Sequence, residues 1–112
     1  MDKIERRLRR KRGIRKKIHG TKTKPRITVT KSNKHLYAQA IDDDAARTLG
    51  ASSDIGLKVK RNVESAVKVG ENLAAELLKI GIKEAVFDRN GYPYHGLVKS
   101  IAEGLRKGGI KV

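Results

Sequence analysis

The chain has 112 residues, no cysteine, 27 lysines and arginines, and a formal net charge of +15. This length predicts one small domain with an appendage, and the absence of cysteine excludes a disulfide framework and a thiolate metal site. The basic N-terminus precedes no apolar run, and no segment approaches the ~18 apolar residues of a membrane-spanning helix. We therefore expect a soluble, intracellular protein without a secretory signal.

Most of the positive charge lies at one end of the chain. The first 26 residues carry 13 lysines and arginines against two acids, whereas the other 86 residues have a net charge of only +4. Such a run of like charges repels itself and favours a polyanionic partner, which a phosphate backbone provides. An anionic membrane is disfavoured because the run contains no Trp or Phe. The predicted phosphate-binding side chains are Arg6, Arg7, Arg9, Arg10, Lys11, Arg12, Arg15, Lys16 and Lys17.

Residues 2–19 predict a helix, because Arg and Lys are good helix formers and Asp2 and Glu5 lie where the helix dipole favours acids. Gly13 interrupts a thin apolar stripe, so we expect this helix to order fully only on its partner. A linker completes the N-terminal arm, residues 1–24, and Pro25 begins the single compact domain, residues 25–112. The alternative is a solvated tail that only raises solubility.

Two alternating segments predict an antiparallel hairpin. Residues 26–31 and 35–41 alternate apolar and polar side chains on either side of a short polar turn. The apolar face, which includes Ile27, Val29 and Leu36, is expected to pack on the core. The opposite face is expected to present hydrogen-bonding side chains, namely Thr28, Thr30, Tyr37 and Gln39.

The remaining residues predict the rest of a small domain. Residues 42–44 are expected to form a turn, residues 47–52 a third strand and residues 53–61 a loop. Asn62 can cap a helix that ends at Gly81, and residues 84–88 predict a buried parallel strand because they follow that helix. A last helix starts at Leu97 and ends at Gly108. The predicted fold class is α/β: a small mixed sheet built from three sequential strands, a helix, a parallel strand and a helix, with a basic helical arm.

Two turns carry candidate RNA-binding side chains. In the loop after the parallel strand, backbone N–H groups near a helix N-terminus favour phosphate, and aromatic faces suit unstacked RNA bases. This loop contributes Arg89, Tyr92, Tyr94 and His95. The hairpin turn contributes Ser32, Asn33, Lys34 and His35. An alternative for the two tyrosines is that they only pack the loop onto the sheet. An alternative for Ser32 and Asn33 is that they only suit the geometry of a tight turn.

Catalytic and metal sites are disfavoured by residue spacing. Residues 42–44 and Asp88 are carboxylates that could hold Mg²⁺ in a nuclease, but three consecutive acids in a turn point in different directions. The three histidines lack metal-ligand spacing. We expect no enzymatic activity, no cofactor and no metal. Two alternatives stay open, a general DNA-compacting protein and a Mg²⁺-dependent nuclease.

Two blocks of the sequence are specific as a pair. They are Ser32-Asn33-Lys34-His35-Leu36-Tyr37-Ala38-Gln39 and Phe87-Asp88-Arg89-Asn90-Gly91-Tyr92-Pro93-Tyr94-His95-Gly96, in this order behind a basic arm. On these blocks the chain resembles the bacterial form of large-subunit ribosomal protein eighteen, over nearly its whole length. The resemblance implies a non-enzymatic, cytoplasmic protein, monomeric within the ribosome. It would bind 5S ribosomal RNA in the central protuberance, beside 23S ribosomal RNA and ribosomal protein five.

The same resemblance implies which side chains meet RNA. The basic arm would embrace it, and the hairpin would contribute Ser32, Asn33, Lys34, His35, Tyr37 and Gln39. The second contact edge would consist of Arg89, Tyr92, Tyr94 and His95. The chain departs from the family pattern at Leu97, where the family usually has Arg, and Lys99 is expected to compensate in part. It also departs at Asn90, where Gly is common, and at residues 30–31, where Phe-Arg is frequent.

Overall fold

The computed structural model describes residues 2–15, 18–31, 35–57, 62–92 and 96–112. Its elements are α1 (Lys3–Arg15), β1 (Arg26–Lys31), β2 (Leu36–Asp42), β3 (Arg47–Ser53), α2 (Asp54–Leu57), α3 (Val63–Lys79), β4 (Val86–Asp88) and α4 (Leu97–Lys107). This order confirms the predicted α/β class with a basic N-terminal helix. The helix expected over residues 2–19 is shorter, since α1 ends at Arg15 and residues 18–20 are not helical. Among the described residues, no helix is both long and apolar enough to cross a bilayer.

The four strands form one mixed sheet in the order β3-β2-β1-β4. β1 and β2 pair antiparallel from Arg26 opposite Ile41 to Lys31 opposite Leu36, as the hairpin pattern predicts. β3 continues the antiparallel meander on β2, with a register shift at Ala40 and Ile41. β4 pairs with β1 in parallel, which confirms the strand direction inferred from the helix that precedes it.

The core lies between one face of the sheet and two helices. The hairpin contributes buried side chains at alternate positions, namely Ile27, Val29, Leu36, Ala38 and Ala40. Helices α3 and α4 cover this face with buried side chains at helical spacing, namely Val69, Leu73, Leu77, Val98, Ile101 and Leu105. Each fully buried branched side chain stabilises the fold by about 1.5–3 kcal/mol, so burial of this face provides most of the driving force for folding.

Helices α3 and α4 approach each other closely because a glycine lies on each side of their crossing. A Cβ atom at Gly70 would overlap the carbonyl oxygen of Ile101, and one at Gly104 would overlap the carbonyl oxygen of Val67. The two backbones therefore meet where neither helix carries a side chain. Val69 of α3 and Val98 and Ile101 of α4 belong to the same cluster of buried side chains.

The expectation of a loop over residues 53–61 is wrong for its first half. Ser53 completes β3, and Asp54–Leu57 form the short helix α2. The Ser53 hydroxyl accepts a hydrogen bond from the Gly56 N–H at 2.9 Å, and the buried Asp54 carboxylate accepts one from the Leu36 N–H at 3.1 Å. A four-residue helix is too short to show apolar periodicity, so the sequence pattern did not predict it. The contact of Asp54 with β2 is seen only in the structure. Residues 58–61 lie outside the described residues.

Candidate nucleic-acid interface

Helix α1 presents an exposed basic surface. The Asp2 carboxylate caps its N-terminus by accepting the Glu5 N–H at 2.8 Å, which satisfies one of the free donors of the first turn. Four arginines of this helix are exposed: Arg6, Arg9, Arg10 and Arg12. Three other side chains at helical spacing are only half-exposed: Arg7, Leu8 and Lys11. The side chain of Arg15 and the residues Lys16 and Lys17 lie outside the described part.

The half-buried side of α1 rests on the loop that follows β4. The Arg7 guanidinium lies over the Tyr92 ring, 4.7 Å from its centroid, and Lys31 Nζ lies 5.4 Å from the same centroid. Arg10 Nε donates to the Gly91 carbonyl at 2.9 Å, and the Tyr92 hydroxyl donates to the Lys31 carbonyl at 3.3 Å. The Tyr92 ring therefore makes cation–π contacts with two side chains of the same protein. These contacts favour the packing role that the sequence left open for this residue.

The arm joins the domain at the turn between β2 and β3. The Gly20 N–H donates to Asp43 Oδ2 at 2.7 Å, and the Asp43 N–H donates to the Gly20 carbonyl at 2.9 Å. His19 Nε2 lies 2.6 Å from Asp44 Oδ1, and this hydrogen bond raises the pKa of the exposed imidazole. The acidic turn thus binds His19 and Gly20 of the arm to the compact domain.

Arg26 connects this turn to the loop after β4. Its side chain, only 11% exposed, donates from Nε and Nη2 to the two carboxylate oxygens of Asp43 at 3.0 Å each, and from Nη1 to Asp88 Oδ2 at 2.7 Å. Asp88 is fully buried and accepts the Asn90 N–H at 2.8 Å, so it also orders the loop that follows β4. Asn90 adopts a positive φ of 56°, a conformation that Asn tolerates well, and its Oδ1 is buried without a hydrogen-bond partner among the described residues.

The acidic residues 42–44 and Asp88 are therefore structural. Asp42 Oδ1 accepts the N–H groups of Asp44 and Ala45 at 3.0 and 3.3 Å, and these bonds stabilise the turn expected from the sequence. Within the described segments, no three His, Asp or Glu side chains are placed to hold a metal ion.

Acid titration tests the pairing of Asp43 with Arg26. The Arg26 guanidinium lowers the pKa of Asp43 from 3.8 to about 2. A carboxylate whose folded pKa is depressed stabilises the protein above its ordinary pKa, and this stabilisation is lost as the pH falls from about 4 to about 2. Urea unfolding across this range is expected to show a steeper loss of stability in the parent chain than in Asp43→Asn. The exposed Glu84→Gln variant serves as the control, and identical slopes in the parent chain and Asp43→Asn would contradict the pairing.

The hairpin presents part of its expected polar face. Thr30 lies opposite Tyr37 and Thr28 opposite Gln39, so the four side chains share one face of the sheet. Thr30, Tyr37 and Gln39 are exposed, whereas Thr28 is buried.

His35 lies immediately before β2 and contacts Tyr37 of this polar face. Its Nδ1 is 3.6 Å from Asp54 Oδ2, and its ring packs edge-to-face on Tyr37 with the centroids 6.5 Å apart. The three other predicted residues of the hairpin turn, Ser32, Asn33 and Lys34, lie outside the described residues.

Other predicted side chains lie at the loop after β4 and on α4. Arg89 is half-exposed, and its carbonyl accepts the Tyr92 N–H at 3.1 Å. Lys99 is exposed on α4, with Nζ 3.9 Å from the carboxylate of Glu103. Tyr94 and His95 lie outside the described residues.

The structure brings α1, the end of the hairpin and the loop after β4 to one edge of the sheet. β1 and β4 run parallel, so their C-terminal residues, Lys31 and Asp88, lie toward the same edge of the sheet. The contact between Lys31 and Tyr92 joins the two ends, and α1 lies against them. The sequence reasoning missed Lys31 and Arg26. The alternation of β1 contains both, but no local signal shows which residues their side chains contact.

The comparisons with known proteins cover the whole chain or nearly all of it. The chain matches the family model for ribosomal L18 of archaea, bacteria, mitochondria and chloroplasts over residues 1–112. It is 51% identical over 105 residues to the large ribosomal subunit protein uL18 of a Nitratiruptor species, covering 94% of this chain and 89% of the relative. It is 50% identical over 110 residues to uL18 of Campylobacter hominis, covering 98% and 93%, and 49% identical over 110 residues to uL18 of Bacteroides thetaiotaomicron, covering 97% and 96%.

Proposed function

The chain belongs to the ribosomal L18 family, and from this premise we propose that it binds 5S rRNA and helps to attach it to 23S rRNA in the central protuberance. Family membership makes it a structural protein of the large ribosomal subunit, non-enzymatic and cytoplasmic with the ribosome. The proposed protein neighbour is ribosomal protein five of the same subunit, and the chain acts as a monomer there.

The observation that carries the proposal is the exposed arginine surface of α1. The body of the protein has a nearly balanced charge, whereas this one helix exposes Arg6, Arg9, Arg10 and Arg12. Guanidinium groups bind phosphate oxygens in pairs of parallel hydrogen bonds, so a row of them follows an RNA backbone well. The arm therefore supplies affinity that depends little on base sequence.

Selectivity for a folded RNA comes from the polar face of the hairpin and from the loop after β4. Tyr37 and Gln39 are exposed on the hairpin and Arg89 is half-exposed in the loop, and they offer hydrogen-bond donors, acceptors and one ring face. Ser32, Asn33, Lys34, Tyr94 and His95, which lie outside the described residues, are proposed to contribute further RNA contacts. RNA loops are recognised through such stacking and edge contacts, whereas duplex DNA presents neither splayed bases nor 2′-hydroxyl groups.

Salt dependence tests the role of the exposed arginines. Each neutralised phosphate contributes about 0.7–0.9 to the slope of log K against log salt. Replacing Arg6, Arg9 and Arg12 together by Gln is expected to reduce the magnitude of this slope by about 2–3 in gel shifts with 5S rRNA. The matched control replaces three exposed lysines by Gln and loses the same charge. Lys68 and Lys79 lie on α3, and Lys83 follows it. Equal slopes for the two triple variants would show that α1 does not meet phosphate.

Competition separates this function from general nucleic-acid compaction. We expect 5S rRNA to be displaced poorly by an unrelated structured RNA and by duplex DNA at matched salt. Equal competition by duplex DNA would favour a compacting protein instead.

Incubation of labelled RNA with and without Mg²⁺ tests the nuclease alternative. The RNA is expected to stay intact, because the carboxylates of the acidic turn bind Arg26 and backbone N–H groups.

A further inference from the structure

A cavity of about 380 Å³ lies at the edge of the sheet formed by β3, which is the outermost strand on that side. Its volume falls within the range of about 300–1,000 Å³ that is usual for small-molecule sites. Side chains from β2, β3, α2 and α3 line it, among them Tyr37, Gln39, Ser52, Leu57, Asn72 and Glu76. Because Tyr37 and Gln39 also belong to the polar face of the hairpin, this edge cavity adjoins the surface that is proposed to meet RNA.

The Glu76 carboxylate is held by the backbone of β3. Its Oε2 accepts the Ala51 N–H at 3.2 Å and lies 3.4 Å from the position that a Cβ atom on Gly50 would take. Glycine at residue 50 therefore lets the carboxylate lie directly against the strand. The other oxygen, Oε1, makes no hydrogen bond to the described residues, so Glu76 keeps one acceptor for a ligand in the cavity.

Asn72 lies one turn before Glu76 on the same side of α3. Its Nδ2 donates to Ser52 Oγ at 3.0 Å, and this bond leaves the side-chain carbonyl oxygen, Oδ1, as the atom that can bind a ligand. Tyr37 and Leu57 add a ring and an aliphatic side chain. The edge cavity thus combines two oriented oxygen acceptors with a surface that suits a planar aromatic group.

Guanine is the RNA base that fits two adjacent acceptors. Its Watson–Crick edge carries two neighbouring donors, N1–H and the N2 amino group. Adenine and cytosine place a ring acceptor beside their amino group, and uracil places its N3–H between two carbonyl oxygens, so each would face at least one acceptor with another. Bases splayed out of RNA loops are recognised on this edge and by contact with aromatic side chains.

We propose that the edge cavity binds one unstacked guanine of the RNA: Glu76 and Asn72 accept hydrogen bonds from its Watson–Crick edge, and Tyr37 contacts its ring. A carboxylate repels phosphate, so Glu76 is suited to a base rather than to the RNA backbone. Base contacts of this kind specify sequence, whereas the phosphate contacts of the arm supply affinity. The role of the cavity in 5S rRNA binding rests on the proposed function, whereas its preference for guanine does not.

Mononucleotides test the edge cavity without 5S rRNA. The isotope-labelled full chain is titrated in NMR experiments with GMP and, separately, with AMP, which carries the same phosphate charge on a different base. GMP is expected to bind in the millimolar range and to shift the signals of the Ala51 N–H and the Asn72 side-chain amide. AMP is expected to bind about 10-fold more weakly, since one bidentate base contact provides discrimination of about this size.

Equal shifts with both nucleotides, or shifts confined to other residues, would overturn the proposal. Shifts of the same signals by N-acetylarginine amide but not by GMP would overturn it as well, because the cavity would then be a site for a protein side chain.

Glu76→Gln tests which group distinguishes the bases. Its amide oxygen can still accept the Ala51 N–H, so the fold is retained, while its amino group replaces Oε1 in the cavity. An amide donor matches the ring acceptor of adenine and not the N1–H of guanine. We expect GMP binding to weaken about 10-fold and the preference for GMP over AMP to disappear. An unchanged preference would exclude Glu76 as the group that binds the base.

The same variant is then compared in binding to 5S rRNA. Glu76→Gln is expected to bind about 10-fold more weakly than the parent. Glu64→Gln, at an exposed position at the start of α3, is expected to bind at least as tightly as the parent. Both variants lose one negative charge, which by itself favours RNA binding, so a loss limited to Glu76→Gln reports a lost base contact.

Two outcomes separate the edge cavity from the proposed function. Equal affinity of the two variants for 5S rRNA would refute the role of the cavity in RNA binding. A parent that prefers GMP but ignores 5S rRNA would refute the proposed function and leave the guanine site in place.

Discussion

Deletion of residues 1–18 is expected to weaken binding to 5S rRNA by two to four orders of magnitude at physiological salt while the domain stays folded. Loss of roughly six phosphate contacts accounts for an effect of about this size. The domain survives because the core cluster consists of side chains between Ile27 and Ile110, and none of the described side chains of the arm belongs to it. The truncation retains His19 and Gly20, so the bonds to Asp43 and Asp44 persist. Binding is measured by gel shift and folding by thermal denaturation.

A control for this truncation must separate the loss of contacts from the loss of net charge. The Lys68, Lys79 and Lys83 triple replacement lowers the charge of the body without altering the arm. It is expected to retain most of the affinity, since long-range attraction between exposed charges is screened within about 8 Å at physiological salt. A truncated domain that binds 5S rRNA as well as the full chain would refute the role of the arm, whatever its melting temperature.

Replacement of Arg26 by Met is expected to destabilise the domain by about 3–5 kcal/mol, because it leaves the fully buried Asp88 carboxylate without its guanidinium partner. The melting temperature should fall by more than about 12 °C, as measured by calorimetry or circular dichroism. Arg26→Lys should rescue little of this loss. A single ammonium group cannot donate to Asp43 and Asp88 in the fork geometry that the guanidinium uses.

Arg47→Met is the matched control for Arg26→Met. Arg47 begins β3 and is exposed, so its replacement removes the same charge from a strand end without uncovering a buried carboxylate. Its effect on the free energy of unfolding should stay within about 0.5 kcal/mol. If Arg26→Met instead lowered RNA affinity and left stability unchanged, Arg26 would be an RNA contact rather than the link between the acidic turn and the loop after β4.

These expectations assign different roles to arginines that look alike in the sequence. Arg9 is exposed on α1, Arg7 lies over an aromatic ring, and Arg26 lies almost buried between two carboxylates. Composition identified the arm as the source of charge, and the contacts of each guanidinium group now distinguish arginines that are engaged within the protein, such as Arg7, Arg10 and Arg26, from the exposed Arg6, Arg9 and Arg12. Tyr92 is a predicted RNA-binding residue, and within the protein its ring contacts Arg7 and Lys31.

Sequence patterns alone were sufficient for the hairpin, the Asn62 cap, the end of α3 near Gly81 and the end of α4 at Gly108. Each of these depends on residues within a few positions of one another, so alternation and capping chemistry carry the information. The arm helix and its exposed arginines follow in the same way from composition. The family resemblance rests likewise on two contiguous blocks, and the whole-chain match bears it out.

Only the tertiary structure decided which distant residues meet. Arg26 and Asp88 are 62 positions apart, Arg10 and Gly91 are 81 apart, and the two glycines at the crossing of α3 and α4 lie on different helices. Helix α2 is a further example. Its four residues show no helical pattern, and the hydrogen bond between Asp54 and Leu36 of β2 joins two distant segments. Such pairings arise when packing of the apolar faces brings separate segments to the same edge, and charge or glycine content within one segment does not encode which partner it will find there.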